Sequence, residues 1–288
     1  MSDINLPSYS VLMSVYAKDN PEHFDTAIRS MAVQTVPFSD MVIVCDGPLS
    51  QSLEAVLKNW QRELGERLTV HRLSKNRGLG VALASGIPLC GCDVIARMDS
   101  DDISRPNRCE LLLKKMTSEK LDLVGGAIEE FDCVPGDMGL IRKVPLFQDD
   151  IDTWLKERNP FNHVSVVFDR HMVNQAGGYE PFPWMEDYWL WVRMIAKGCR
   201  CANIPDVVVD VRVGNGMFAR RKGIPYMKSQ VCFFSELHKL GFITRIEQAK
   251  AVILRQLAAF CPERVLKGLY QLFLRKKKGA NDVRCRLR

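Results

Sequence analysis

No stretch of this chain reaches the ~18 consecutive apolar residues that a membrane-spanning helix needs. That excludes a helical integral membrane protein. The first ten residues, MSDINLPSYS, hold neither a basic segment nor an apolar core, so no secretory leader is expected. Ten cysteines are present, yet none forms a C-x-x-C pair. Cys90/Cys92 and Cys199/Cys201 are separated by one residue, and the five histidines do not fall at zinc-site spacing. Neither a structural zinc site nor a disulfide framework is implied, and the thiols are expected free in a reducing compartment. Internal repeats and low-complexity linkers are also missing.

What remains is the make-up of a globular protein. The chain has 288 residues, 47% hydrophobic and 26% charged, enough for one large domain or a domain with an appendage. Its net charge of +6 is uneven. Residues 264–288 carry nine Lys or Arg against one acid, leaving 31 basic and 33 acidic residues elsewhere. A near-neutral body with a basic tail points to an anionic surface as partner.

The first half alternates. Apolar runs at 9–16, 40–47, 67–73 and 93–98 read as buried strands. Between them lie three helical patterns. The first opens with Asn20 and Pro21 and places Phe24, Ile28 and Met31 on one face. The second covers 50–64 with Leu53, Val56, Leu57, Trp60 and Leu64 aligned. The third is a glycine-rich loop at 76–87 entering a helix, and 104–117 reads as a fourth helix capped by Ser104. Such β-α-β alternation implies a parallel sheet wrapped by helices, with ligands outside the carboxyl ends of its strands. Tyr16, Asp46 and Asp99 all stand at those ends. The second half is less regular. Strands are expected at 121–131, 163–169 and 206–213, helices at 148–158 and 183–198, and three helices at 224–240, 244–259 and 263–277.

The fourth strand runs straight into Asp99-Ser100-Asp101-Asp102. Three carboxylates in four positions repel one another, and a helix start favours one or two acids, not three. A divalent cation would neutralise them; hard oxygen donors on a loop suit Mg²⁺ or Mn²⁺ shared with substrate phosphates. Glu186 and Asp187 open the 183–198 helix, where acids also suit the dipole. Asn162 and His163 precede a strand, as candidates for an acceptor or phosphate contact or as structural residues. Arg212, with Arg220 and Arg221, borders a glycine-broken loop that either closes on phosphate or is a solvated surface. Arg105 and Arg108 are expected to pair with the acids or their helix.

SVLMSVY, AIRSMAVQT, VIVCDGP, KNRGLGVALASGI, ARMDSDDISRPNR and WMEDYWLWVRM, in this order and spacing, resemble the family 2 glycosyltransferases of GT-A fold. The likeness is greatest to enzymes that build bacterial capsule, exopolysaccharide or lipopolysaccharide units, and it covers about residues 8–215. It implies a Rossmann-like, mostly parallel sheet flanked by helices. The glycosyltransferase domain would span 1–222, with a nucleotide-sugar half at 1–120 and an acceptor half at 121–222. A helical basic extension would follow at 223–288. Asp99-Ser100-Asp101 matches the family's D-x-D. Asp101 would ligate Mn²⁺ or Mg²⁺, and Asp99 the metal or the donor's ribose. Tyr16 and Asp46 match positions along the nucleotide base, although many relatives read Asp-Asp-Gly-Ser where this chain has Cys45-Asp46-Gly47-Pro48. Asn76, Gly78 and Leu79 match the Asn-x-Gly-Leu loop beside the nucleotide. Asp187 matches the catalytic base, with Glu186 as the alternative. Transfer would be inverting, from a UDP-linked sugar.

Residues 263–279 place Val265, Leu266, Leu269, Tyr270 and Phe273 on one helical face, ringed by Arg264, Lys267 and Arg275 to Lys278. That is the pattern of an interfacial helix on an anionic leaflet, each basic residue contributing ~1 kcal/mol. The partners expected are therefore the inner face of the plasma membrane and a lipid-linked oligosaccharide acceptor. Nucleic acid is not expected, because no aromatic residues interleave the charge. Two rivals stay open. A sugar nucleotidyltransferase would need a Gly-x-Gly-Thr-Arg loop after the first strand, where SVYAKDNPE stands. A non-catalytic scaffold of a membrane assembly would have no use for the intact acids.

Overall fold

The computed structural model describes residues 5–213, 223–260 and 276–277. Four parallel strands form the first half of its sheet: β1 (Tyr9–Val15), β2 (Asp40–Cys45), β3 (Leu68–Arg72) and β4 (Val94–Met98). They lie in the order β3-β2-β1-β4, with Ser10 opposite both Asp40 and Ile95. Both faces are covered. Val11, Met13 and Val15 point into one hydrophobic cluster, and Leu12 with Val42 and Val44 into the other. This is why these strands read as continuous apolar runs rather than alternating ones.

Crossover helices cover those faces. In α1 (Pro21–Ala32) the Asn20 side chain accepts from the Glu22 and His23 amides at 2.8 and 3.2 Å, while Phe24, Ala27, Ile28 and Met31 are buried. Ser50 caps α2 (Gln51–Leu64) on the Leu53 amide. The short α3 (Leu79–Gly86) lies against the sheet at Gly86, where a Cβ would stand 2.5 Å from Leu12 Cδ1 and 2.8 Å from Val44 Cγ2.

Beyond β4 the sheet turns mixed. Its further strands are β5 (Ile103–Ser104), β6 (Leu123–Phe131), β7 (Leu140–Arg142), β8 (Val167–Asp169) and β9 (Cys201–Arg212). β8 pairs antiparallel with β4 and β6, β7 antiparallel with β6, and β9 parallel with β6. The helices here are α4 (Arg108–Glu119), α5 (Gln148–Leu155), α6 (Arg170–Gln175) and α7 (Glu186–Ala196), followed by α8 (Ile224–Lys239) and α9 (Arg245–Phe260).

Three expectations are corrected. Ser104 is no helix cap: it pairs with Val209 in β9, its amide donates to Ser30 Oγ and its hydroxyl accepts from Gln34, and the helix begins only at Arg108. Pro106 contributes, since the residue before a proline is biased toward extended backbone. The strand expected at 163–169 splits into a 3₁₀ turn at His163–Ser165 and the short β8, because Ser165 turns its hydroxyl onto the Gly126 and Asn162 carbonyls. The helix expected at 263–277 does not reach its end. Lys276 and Lys277 are extended, as β10, against Ile141 and Leu140 of β7, and the preceding residues lie outside those described. The basic loop at 214–222, with Arg220 and Arg221, also lies outside them.

α7 is buried on more than one face. Trp191 meets Phe168 of β8 on the sheet side at 6.4 Å, and Tyr188 meets Phe233 of α8 at 4.3 Å on the other. Phe233, Phe234 and Leu237 of α8 share one hydrophobic cluster with Trp189, Leu190 and Val192. All eight cysteines among the described residues are free; Cys133 and Cys232 are exposed, Cys92 half-buried and the rest buried.

Candidate active site

The acids after β4 are held by basic groups that come from inside the fold. Arg97 lies within β4 and is 1% exposed, yet its guanidinium reaches forward to grip both oxygens of Asp99. A charge so deep in a sheet is stable only when paired, and this pair is charge-assisted and bidentate. Ser100 donates to Asp19 Oδ2 at 2.8 Å, and the Tyr16 amide donates to the same oxygen at 3.1 Å. Asp19 thus ties the turn after β1 to the acidic turn. Asp102 points inward, accepts from the Arg212 amide at 2.8 Å, and has its carboxyl driven well above the usual range by burial and then by Asp99 and Asp101. Arg212 lies over Phe131 at 4.5 Å and donates to the Asp101 carbonyl at 3.3 Å. Its guanidinium is therefore a clamp on the acidic turn, held from β9. Arg105 pairs with Glu129 and Asp210, each at 2.7 Å, fastening the same turn to β6 and β9. Arg108 is buried, and its guanidinium donates to the Arg97 carbonyl.

At the end of β2, Asp46 is 4% exposed and accepts from the Arg77 and Gly78 amides at 2.7 and 2.9 Å. Asn76 donates to the Asp46 carbonyl at 3.3 Å. The carboxylate builds the loop that leads into α3. Gly47, with φ +89°, lets that loop pass close: a Cβ there would meet the Asn76 nitrogen at 2.6 Å. Gly80, one turn on, approaches Glu186 in the same way, 3.1 Å from its Cβ.

Glu186 and Asp187 form the first turn of α7. Asn159 donates to Asp187 Oδ2 at 2.6 Å and accepts from the Phe161 amide, so its own orientation is fixed. Burial pushes the Asp187 carboxyl up; the Tyr188 amide, the Asn159 amide and the Arg97 and Arg142 guanidiniums pull it back. Burial and the neighbouring Asp187 charge push Glu186 up to about 7. A carboxylate matched to neutral pH in a cleft is suited to proton transfer. His163 shares a 2.7 Å hydrogen bond with the Tyr179 hydroxyl and lies edge-on to Trp191 at 5.9 Å. Burial, then the Arg97 charge, holds its imidazole neutral, well below the ordinary range.

A cleft of about 620 Å³ joins these parts. Gly78, Arg97, Asp99, His163, Glu186 and Asp187 line it, and Pro181 to Trp184 form its rim. The walls come from the β3–α3 loop, the end of β4, the turn before β8 and the start of α7. Tyr16, Asp46, Asn76, Asp101 and Arg212 are not among the residues that line it. Asn162 is 1% exposed and donates to the Gly126 carbonyl at 2.8 Å, which makes it an internal staple rather than a cleft residue. Arg97, Asn159, Tyr179 and Trp184 are the residues the sequence did not single out. Arg97 had a signal, a charge inside the apolar run VIARM.

The acidic turn fits a divalent cation. Its carboxylates crowd until burial and mutual repulsion force the Asp102 carboxyl upward. Among the described residues no three His, Cys, Asp or Glu form a cage for a metal. Such a donor set suits a cation held by one or two carboxylates together with substrate phosphates, not a resident structural metal.

The glycosyl transferase family 2 model matches residues 10–175. The amylovoran biosynthesis glycosyltransferase AmsE of Erwinia amylovora is 38% identical over 91% of this chain and 98% of its own. An Escherichia coli UDP-Gal:α-D-GlcNAc-diphosphoundecaprenol β-1,3-galactosyltransferase is 35% identical over 96% of this chain and 99% of its own. The crystal structure of S. aureus TarS 1–349 with UDP-GlcNAc aligns with TM-score 0.64 at 15% identity, over 93% of this chain and 76% of that one. A Pyrobaculum calidifontis mannosyltransferase with GDP-Man and Mn²⁺ aligns with TM-score 0.60 at 15% identity, over 93% and 79%. These two share the fold, a mixed, largely parallel sheet flanked by helices. With the family model over more than half its length and relatives above 30% identity along nearly all of it, the chain belongs to glycosyl transferase family 2, and it is a glycosyltransferase.

Proposed function

We propose that this enzyme transfers a sugar, with inversion, from a UDP-linked donor to a hydroxyl of a lipid-linked oligosaccharide during assembly of a bacterial surface polysaccharide. One observation carries the reading: Asp99 and the Glu186–Asp187 pair, far apart in sequence, face one cleft beside the Gly78 loop. The relatives named for amylovoran synthesis and for a diphosphoundecaprenol-linked GlcNAc acceptor support the substrate classes. The neighbours with UDP-GlcNAc and with GDP-Man and Mn²⁺ support a nucleotide sugar and a divalent cation.

Asp187 takes the proton from the acceptor hydroxyl at its carboxylate. The freed oxygen pair bonds the anomeric carbon on the face opposite the diphosphate, and the carbon–oxygen bond to the diphosphate breaks, its electron pair leaving with the nucleotide. Asn159 keeps Asp187 aimed, and burial keeps it basic enough to accept the proton. Glu186, with a carboxyl near 7, carries a proton part of the time and hydrogen-bonds sugar hydroxyls in either state. Asp101 with Asp99 would hold Mn²⁺ or Mg²⁺, and the cation when bound neutralises charge on the departing diphosphate. Tyr16, Asp46, Asn76 and Gly78 shape the nucleotide side of the cleft.

Among the described residues no helix is long and apolar enough to cross a membrane. Attachment to the inner face of the plasma membrane is assigned to the basic tail of the 223–288 extension. The deciding assay follows transfer from a panel of UDP-sugars to a GlcNAc-diphospholipid, with and without Mn²⁺. Asp187→Asn should lower turnover ~10²–10⁴-fold. Undiminished transfer in that variant and in Asp101→Asn overturns the assignment.

A further inference from the structure

We propose that Trp184 is a stacking platform for a pyranose ring of the acceptor, presented by a left-handed backbone that α8 holds in place. The proposal rests on the glycosyl-transfer reading and adds a specificity-determining residue to it.

Trp184 has φ +64°. Bulky residues rarely adopt that region, and such a conformation persists only where its surroundings over-determine it. Here they do. Ser229 of α8 donates to the Pro183 carbonyl at 2.7 Å, immediately before the indole-bearing residue. Tyr226, one turn earlier in α8, meets the indole at 5.7 Å and 88°. The Met185 amide closes the turn onto the Phe182 carbonyl at 3.0 Å.

The conformation leaves Trp184 43% exposed, whereas Trp60, Trp189 and Trp191 are buried. An indole left partly open in a cleft offers a large apolar face to a ligand. Trp184 lines the cleft, and Glu186 and Asp187 follow it directly in the chain. Its ring contact with Tyr226 is perpendicular rather than stacked.

A pyranose supplies the matching surface. Its axial C–H bonds form an apolar, weakly positive face, and an indole presents a large apolar, negative one. Hydroxyls point outward from that ring toward carboxylates, which here stand beside it. A proton acceptor must lie within hydrogen-bond reach of the hydroxyl it serves. A sugar lying on Trp184 would bring its rim to the segment that carries Asp187. Pro181 and Pro183 fix the backbone of the platform, so little entropy is lost when the ring docks. Asp99 and the Gly78 loop line the same cleft from other elements.

The test measures steady-state kinetics of Trp184→Ala, Trp184→Gly and Trp184→Phe with UDP-sugars and a GlcNAc-diphospholipid. Glycine accepts the left-handed backbone, so its effect reports the indole and not the loop. The Ala and Gly variants should raise the acceptor KM tenfold or more while the donor KM moves less than twofold, and Phe should recover most of the loss. An unchanged acceptor KM overturns the platform and leaves the transferase reading intact. An equal rise in both KM values also overturns it, since that marks collapse of the cleft. No transfer by the wild-type enzyme from any UDP- or GDP-sugar to that lipid overturns the proposed donor and acceptor classes, and the platform with them.

Discussion

Asn159 Nδ2 lies 2.6 Å from Asp187 Oδ2 and donates to it. Asn159 sits between α5 and the turn before β8, so the second half of the fold aims the proposed base. A hydrogen bond to a charged group contributes ~1.5–3 kcal/mol. Asn159→Ala should therefore lower kcat/KM about 10- to 100-fold. The sign of its pH effect follows from the cause. Asn159 pulls the Asp187 carboxyl down, so its loss lets burial raise that carboxyl further. The base then loses its ionised form at higher pH, and the acid limb of a kcat/KM profile should move upward.

Glu186 supplies a stability prediction. Its carboxyl is about 7 in the fold, against an ordinary glutamate value of 4.5. The folded state binds the proton more tightly than the unfolded state. Its contribution is full below the ordinary value and is lost as pH rises toward about 7. Wild-type Tm should fall across that window. Glu186→Gln, which cannot ionise, should flatten the fall, a difference of a few degrees in thermal melts at pH 4.5 and 7.5.

Gly47→Ala should damage the nucleotide side. The new methyl would stand 2.6 Å from the Asn76 nitrogen at a φ of +89°, so the loop must move off Asp46. Asp46→Asn attacks the same link chemically, since its NH₂ would replace one of the two oxygens that each accept a backbone N–H. Both variants should raise the donor KM several-fold and leave the acceptor KM nearly unchanged in initial-rate assays. An acceptor KM that moves first would place the loop elsewhere in function.

How far the sequence announced this site depends on the range of each interaction. The four parallel strands were legible because burial on both faces leaves unbroken apolar runs, and α1 because Asn20 and Pro21 mark its start. The acids at 99–102 stood out because like charges rarely crowd without a cause, whereas Glu186 and Asp187, which a helix start alone would favour, stood out through the family resemblance. Ser104 misled, since a serine before Pro106 suits a helix cap, and only β9, a hundred residues later, makes it a strand. His163–Ser165 misled for a related reason: its apolar neighbours fit a strand, while the hydroxyl of Ser165 bonds Gly126 in another element. Asn159 and Trp184 gave no signal at all. One acts through a partner in α7, and the other through a backbone angle that no spacing encodes.

Arg97 provides the sharpest test of how the cleft balances its charge. It is buried in β4, grips Asp99, and faces Asp102, Glu186 and Asp187, whose carboxyls it pulls down. Removing one partner of a buried pair typically costs ~3–5 kcal/mol, because the other charge is left unopposed. Asp99 is 35% exposed and recovers part of that from water, so Arg97→Met should fall at the lower end, near 3 kcal/mol by urea denaturation. Arg97→Met/Asp99→Asn removes both charges and should regain a measurable part of the loss. The two roles of Arg97 separate by pH. If it tunes the cleft as well as bracing β4, the acid limb of kcat/KM in Arg97→Met must shift to higher pH, because Asp187 loses a nearby positive charge. A variant that is less stable but keeps the wild-type profile would confine Arg97 to the sheet.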